Sequence, residues 1–79
     1  LNERGGKNIL IELKGDRTIS VFAANETQLN ATLYTADGRK ASEVSISGNT
    51  LDICAPSAGV YVLKVGGQKS AAVRKVVVE

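Results

Sequence analysis

The chain has 79 residues, enough for one small domain and too few for two. Hydrophobic residues make up 43% of the chain but aromatic residues only 4%, so the core must consist mainly of Val, Ile, Leu and Ala. The scarcity of aromatic rings also disfavours sugar-binding and single-strand-binding sites, many of which stack their ligand on such rings. The formal net charge of +2, with basic and acidic residues mixed along the chain, excludes the basic stripe typical of nucleic-acid-binding proteins.

The first seven residues, "LNERGGK", differ in composition from the rest of the chain. They are mostly polar and contain a Gly-Gly pair, which is typical of a flexible linker. We therefore predict a linker at residues 1–7 and one folded domain at residues 8–79. Because the sequence begins at Leu1 and not at Met, we expect it to be a piece of a longer protein. No apolar run is long enough to span a bilayer, so we expect no membrane-spanning segment.

Alternation of apolar and polar residues is the repeated signal along the remainder of the chain, and it is typical of half-buried β-strands. Turn-forming residues separate the alternating segments, among them the Asp-Gly pair of "ADGRK", a strong hairpin signal, and the proline of "APSAG". The pattern predicts seven short strands, at residues 8–13, 18–23, 29–35, 42–47, 51–53, 60–65 and 71–78.

Seven short strands at this spacing, without a helical stripe, predict an all-β fold. We expect an immunoglobulin-like antiparallel β-sandwich whose two sheets bury their apolar faces against each other. A five-stranded barrel is the alternative if two of the segments are irregular connections.

Residues that could carry out catalysis are scarce. The chain has no histidine, which removes the usual acid–base group at neutral pH and the commonest metal ligand. The lone Cys54 is expected to be a small buried residue in a strand. Asp16, Asp37 and Asp52 each lie in or beside a turn, where aspartate commonly bonds the local backbone. We therefore expect no catalytic residue, cofactor or metal site, and the chain is not predicted to be an enzyme.

Two segments resemble a known family. The first segment, at residues 31–40, is "ATLYTADGRK" and resembles an apolar strand that ends in D-x-x-G-R. The second segment, at residues 56–78, is "PSAGVYVLKVGGQKSAAVRKVVV". It resembles L-P-A-G-V-Y followed by a hydrophobic–V-K-V, Gly, Lys-Ser and Lys–hydrophobic–V-V pattern. In this order and spacing they resemble the C-terminal sorting domain of proteins exported by the type IX secretion system of Bacteroidetes. The chain departs from the family pattern at Ala55, where members usually have leucine, and at Ser57, which is an extra residue.

The resemblance implies a secretion signal that outer-membrane secretion machinery recognises, with a cargo domain N-terminal to Leu1. It also implies passage through the periplasm to the cell surface or extracellular space. A sortase-like peptidase would cut in or upstream of residues 1–7, remove the domain and attach the cargo to an anionic lipopolysaccharide. The motif positions that resemble the family, and would form the recognition surface, are Asp37, Gly38, Arg39, Gly59, Val60, Tyr61, Lys64, Val65, Gly67, Lys69, Lys75, Val76 and Val77.

Several motif residues also have a physical interpretation. Gly38 can adopt the positive φ of a tight hairpin, leaving Arg39 free to reach a carbonyl or carboxylate, and Gly59 permits an unusual backbone conformation before its strand. The Tyr61 ring is expected in the core, either for packing alone or with its hydroxyl on a backbone partner. The cations of the last two strands are either recognition residues or solvated, edge-protecting charges; they are Lys64, Lys69, Arg74 and Lys75.

The last strand is apolar on both faces. Val73 and Val77 share one face, and Ala72, Val76 and Val78 share the other, so the strand is expected to be covered on both sides or to meet a partner. Strand addition to the export machinery and a strand-swapped dimer are both compatible with this pattern. An immunoglobulin-like module for adhesion or carbohydrate binding, and a structural cap on a neighbouring catalytic domain, remain as alternative functions.

Overall fold

The computed structural model describes residues 9–79, so the predicted linker and Asn8 lie outside the described residues. The described part contains seven strands, close to the predicted positions. They are β1 (Ile9–Lys14), β2 (Thr18–Ala23), β3 (Gln28–Thr35), β4 (Lys40–Ser47), β5 (Thr50–Cys54), β6 (Gly59–Gly67) and β7 (Ala71–Val78).

The seven strands form two antiparallel sheets, one with the order β1-β2-β5 and one with the order β4-β3-β6-β7. This order agrees with an immunoglobulin-like sandwich, in which the third, sixth and seventh strands share a sheet opposite the first, second and fifth. The predicted β-sandwich is confirmed. The barrel alternative is wrong because β1 and β7 end their separate sheets, and neither pairs with the other among residues 9–79.

The core lies between the sheets and is built by the period-two alternation of the strands. Ile19 and Val21 of β2, Ile53 of β5, Leu33 of β3 and Leu63 of β6 have at most 1% of their surface exposed. Full burial of a side chain of this size stabilises the fold by about 1.5–3 kcal/mol, so these side chains hold the sheets together. Residues adjacent to them in sequence face outward, as the pattern predicted.

Cys54 corrects one expectation. The cysteine was predicted to be buried, but it is exposed on the outer face of β5, with its Sγ 3.6 Å from Thr18 Oγ1 across the strand pair. The reason is parity: Leu51 and Ile53 both point into the core, which turns the next residue outward.

The antiparallel pairing sorts the connections into two ends of the sandwich. The end of β7, the β1–β2 turn, the β3–β4 turn and the β5–β6 loop lie at one end, where Ala55 N–H donates to the Arg17 carbonyl at 2.9 Å. The β2–β3 loop and the β6–β7 turn lie at the other end. The two family-like segments become neighbours because β3 pairs with β6.

Candidate functional site: the terminal hairpin

The β6–β7 hairpin presents a solvent-facing surface of valines and lysines. Its register places Val60 opposite Val77, Val62 opposite Lys75 and Lys64 opposite Val73. Side chains directly opposite each other on one face of an antiparallel pair are close neighbours, so these six form one continuous surface. We call it the hairpin face, and its members are Val60, Val62, Lys64, Val73, Lys75 and Val77.

The valines of the hairpin face are unusually exposed for their type. Val73 is 65% exposed, Val77 52% and Val60 42%. Lys64 and Lys75 are exposed among them, and Lys64 Nζ lies 5.6 Å from the centre of the Tyr34 ring on the neighbouring strand β3. A cation over an aromatic ring is attracted by the ring's negative face, which helps to position this ammonium group. The surface therefore combines apolar contact area with positive charge.

The strand alternation divides the predicted recognition residues of the hairpin into two groups. Tyr61, Val65 and Val76 point inward and are at most 6% exposed, so their side chains build the core. The outward members are Val60, Lys64, Lys75 and Val77. Of these two groups, the outward one offers its side chains to a partner without unfolding of the sandwich.

Tyr61 fixes the loop that leads into the hairpin. Its ring is buried and its hydroxyl donates a 2.8 Å hydrogen bond to the Ser57 carbonyl, so the ring packs and the hydroxyl finds a backbone partner. Gly59, at the start of β6, has a φ of 153°, a backbone conformation that residues other than glycine rarely adopt. The extra residue of the family comparison, Ser57, is thus the residue whose carbonyl accepts the tyrosine bond.

The predicted residues Asp37, Gly38 and Arg39 form the β3–β4 turn. Gly38 has a φ of 93° and its N–H donates to the Thr35 carbonyl at 2.9 Å, as the predicted tight hairpin requires. Arg39 Nε lies 3.6 Å from Asp37 Oδ2, and the side chains of this pair are 81% and 67% exposed, so the ion pair adds little stability. Thr35 lies opposite Tyr61, which places this turn beside the start of the hairpin.

The other end of the hairpin is held by Glu26, which the sequence analysis did not single out. Glu26 lies in the β2–β3 loop and is 5% exposed. Its carboxylate accepts hydrogen bonds from Gln68 N–H at 2.8 Å, Lys69 N–H at 2.9 Å and the Ser70 hydroxyl at 2.7 Å. No local pattern identifies such a residue, because its partners lie 42 to 44 positions further along the chain.

The same contacts affect the pKa of Glu26 and account for the glycine at position 67. The Ser70 hydroxyl bond lowers the pKa of Glu26 most, burial opposes it by raising the pKa, and the N–H groups of Lys69 and Gln68 lower it further. A Cβ atom at Gly67 would lie only 2.5 and 2.7 Å from the two carboxylate oxygens, so a larger residue there requires the Glu26 carboxylate to move. The predicted motif residues Gly67 and Lys69 therefore belong to a turn that a buried carboxylate holds.

The four cations of the last two strands occupy three different environments. Lys64 and Lys75 belong to the hairpin face, and Lys69 lies in the β6–β7 turn. Arg74 lies opposite the fully buried Leu63 and therefore on the inner side of β7, where it is half-buried at the sheet edge. A charged residue pointing inward at an edge is a known protection against unwanted strand pairing, so the edge-protecting interpretation fits Arg74 best.

The described residues contain neither a metal-binding cluster nor a membrane-spanning helix. Within residues 9–79, no group of three or more His, Cys, Asp or Glu side chains is arranged to hold a metal ion. That part of the chain likewise has no helix that is long and apolar enough to cross a membrane.

Comparison with known proteins gives one match. A family model described as a secretion system C-terminal sorting domain matches residues 7–79. No curated protein and no solved structure matches the chain significantly. The match covers both segments on which the resemblance was based, so the resemblance is confirmed. The recognition role of the individual motif residues stays a prediction.

Proposed function

Because the chain belongs to the family of secretion system C-terminal sorting domains, we propose that its hairpin face is the surface by which the export machinery of the outer membrane selects the attached cargo. The family consists of sorting signals for type IX secretion in Bacteroidetes, and export takes the cargo to the cell surface or the extracellular space. The observation that carries the proposal is the exposure of three valines beside two lysines on the outer side of the hairpin.

A receptor needs a surface that keeps its shape, and the hairpin meets this requirement. Glu26 holds the β6–β7 turn, Tyr61 holds the preceding loop, and the inward residues of both strands pack in the core. These contacts fix the backbone beneath the hairpin face, so binding has to order only its exposed side chains, which lowers the entropy cost of recognition. This rigidity supports recognition of the domain in its folded form.

Export of a reporter protein fused to the N-terminus of the chain tests the hairpin face. In a bacterium with type IX secretion, the double variant Val60→Thr/Val77→Thr should sharply reduce surface delivery, because it removes exposed apolar area and keeps β-branched side chains. The matched control is Leu10→Thr/Phe22→Thr, a cross-strand pair on the outer face of the other sheet that is 58% and 41% exposed. Equal export of the two double variants would show that the export machinery does not recognise the hairpin face.

The later fate of the domain forms a second part of the proposal. After passage through the periplasm and across the outer membrane, a sortase-like peptidase removes the domain in or upstream of residues 1–7 and anchors the cargo on the surface. Mass spectrometry of the mature cargo tests this step: a new C-terminus before Ile9 supports removal. A mature protein that retains the domain and binds a glycan or host protein through it would instead support an adhesion module.

The terminal strand also supports a proposal about self-association. At high concentration, two copies exchange β7 and form a strand-swapped dimer, because each exchanged strand meets the same β6 partner that it has in the monomer. Size-exclusion chromatography over a range of concentrations should then show a slowly exchanging dimer. A chain that stays monomeric throughout would contradict this proposal.

A further inference from the structure

The sandwich is closed on one side and open on the other. On the closed side β4 and β5 meet, and the Ser42 hydroxyl donates a 2.8 Å hydrogen bond to the Cys54 carbonyl. On the other side β1 ends one sheet and β7 ends the other, and each pairs with only one strand within residues 9–79. We call the side bounded by β1 and β7 the open flank.

Leu13 is an inner-face residue that nothing on the opposite sheet covers. It lies opposite Ile19, which is fully buried, so its side chain projects from the core-facing side of β1. Ile9, at the start of the same face, is 6% exposed, whereas Leu13 is 54% exposed. Exposure rises along the strand because the four-stranded sheet ends at β7 and contributes no further strand over this end of β1.

A cavity marks this uncovered place. It has a volume of about 360 Å³ and lies between the β1–β2 turn and the end of β7, where Leu13, Arg17 and Val78 are among the residues that line it. A space beside an uncovered leucine can accept an apolar side chain from a partner.

The free edge of β7 can bind a backbone. Gly67 N–H donates to the Ser70 carbonyl at 2.9 Å, so Gly67 and Ser70 are a hydrogen-bonded pair and the pairs alternate along the hairpin from there. The N–H and C=O groups of Val73, Lys75 and Val77 consequently point away from β6, toward the open flank. These groups form the unpaired row to which another strand can add.

We propose that the open flank binds an extended segment of a partner protein as a fifth strand of the four-stranded sheet, beside β7. On the inner face one apolar side chain of the segment packs on Leu13 in the cavity, and on the outer face acidic side chains approach Lys75. The inference rests on the proposed function, because the partner it describes is a component of the export machinery. Main-chain hydrogen bonds supply the affinity, and the Leu13 cavity and the charge of Lys75 supply the selection.

Charge distinguishes this partner from a second copy of the chain. In a direct antiparallel pair of two β7 edges, opposite residues share a face, so a register centred on this part of the strand places Arg74 opposite Arg74 or Lys75 opposite Lys75 of the second copy. Like charges opposite each other destabilise a strand pair, whereas carboxylates at these positions stabilise it. An extended segment with acidic and apolar side chains is therefore a better partner for the β7 edge than the β7 edge of a second copy.

Binding of a synthetic probe tests the inference without the machinery. The probe is an eight-residue peptide of alternating valine and glutamate, titrated into the isotope-labelled chain and followed by amide resonances. We expect shifts at β7 and at the Leu13 end of β1, and weaker binding of the peptide in which lysine replaces glutamate. Shifts confined to other regions, absence of binding at millimolar peptide, or equal affinity for the lysine peptide would overturn the inference.

Two matched pairs of variants locate the binding. Leu13→Ser should weaken peptide binding about fivefold or more, as expected for loss of an anchor, whereas Leu10→Ser should not, although Leu10 is 58% exposed on the same strand. Val73→Pro removes an N–H that faces the flank and should also weaken binding, whereas Val73→Thr retains it. A similar loss in both members of each pair would contradict the geometry.

The same variants in the reporter export assay separate this inference from the proposed function. Leu13→Ser should reduce export and Leu10→Ser should not. Val73→Pro should reduce export more than Val73→Thr, because both remove a valine of the hairpin face and only proline also removes the edge N–H. If these variants change neither binding nor export while Val60→Thr/Val77→Thr still blocks export, the flank inference is wrong and the proposed function stands. If the flank binds the peptide as described but neither set of variants affects export, the flank binds strands and the proposed function is wrong.

Discussion

The neighbouring residues Val76 and Val77 provide a sharp test of the strand register in the terminal hairpin. Val76 is 6% exposed and faces Tyr61 in the core, whereas Val77 is 52% exposed on the hairpin face. Threonine has nearly the shape of valine and is also β-branched, so a Val→Thr change at either site preserves volume and strand propensity. Any difference between the two variants then comes from the side of the sheet on which each residue lies.

The expected magnitudes follow from burial. Val76→Thr places a hydroxyl among apolar neighbours, and an unsatisfied buried polar group costs about 1–3 kcal/mol of unfolding free energy. Val77→Thr places the hydroxyl in water, and surface substitutions of this kind usually change the unfolding free energy by less than about 0.5 kcal/mol. Val76→Thr should therefore be less stable than Val77→Thr by at least about 0.5 kcal/mol.

Urea unfolding of the purified chain, followed by far-ultraviolet circular dichroism, measures the difference. A domain of this size has a urea dependence of about 1 kcal/mol per molar, so the Val76→Thr midpoint should fall by about 1 M or more and the Val77→Thr midpoint by less than about 0.5 M. In the export assay the order should reverse if Val77 contacts the machinery: Val77→Thr then remains folded but is exported less. Equal midpoints for the two variants would refute the assigned register.

Three further predictions concern the turns. Gly67→Ala should lower the thermal midpoint because its Cβ would displace the Glu26 carboxylate, whereas Gly15→Ala, where an added Cβ meets nothing within 4 Å, should change it much less. The unfolding free energy, measured in urea over a range of pH, should include a contribution from Glu26 that is complete above the unfolded-state pKa of 4.5 and is lost as the pH falls through the lowered folded-state pKa. Glu26→Gln should lack this pH-dependent contribution. If Glu26→Gln has the same pH dependence as the original chain, the assignment to Glu26 is wrong. Arg17→Gly should raise the unfolding free energy in urea by about 0.5–1 kcal/mol, because Arg17 has a φ of 60°, which strains residues other than glycine. A lower unfolding free energy would show that the Arg17 side chain compensates for this strain.

Local spacing in the sequence was sufficient to predict much of this fold. Alternation with period two identified seven strands, and turn residues separated them, because both depend on neighbours within a few positions. Parity also predicted that Val73 and Val77 share the face opposite to Val76 and Val78, and their exposures confirm it. The family was identified for a related reason, since its two motifs lie along continuous segments of chain.

Contacts between distant segments could not be predicted in this way. Glu26 resembles any acidic loop residue until the fold brings it to Gln68, Lys69 and Ser70, and Gly67 acquires its steric requirement only from that contact. Cys54 was placed on the wrong side because its general tendency toward burial outweighed its position after Ile53 in the alternation.

The strands, their turns, the two faces of the last strand and the family could all be identified from local patterns in the chain. Which of those faces remain open depends on how the strands pack together. Among residues 9–79, Leu13 is exposed and the β7 edge is unpaired because one sheet ends at β1 and the other at β7. Which strands lie at the edges of a sheet depends on pairing between distant segments, whereas alternation within one strand specifies only that it has two faces.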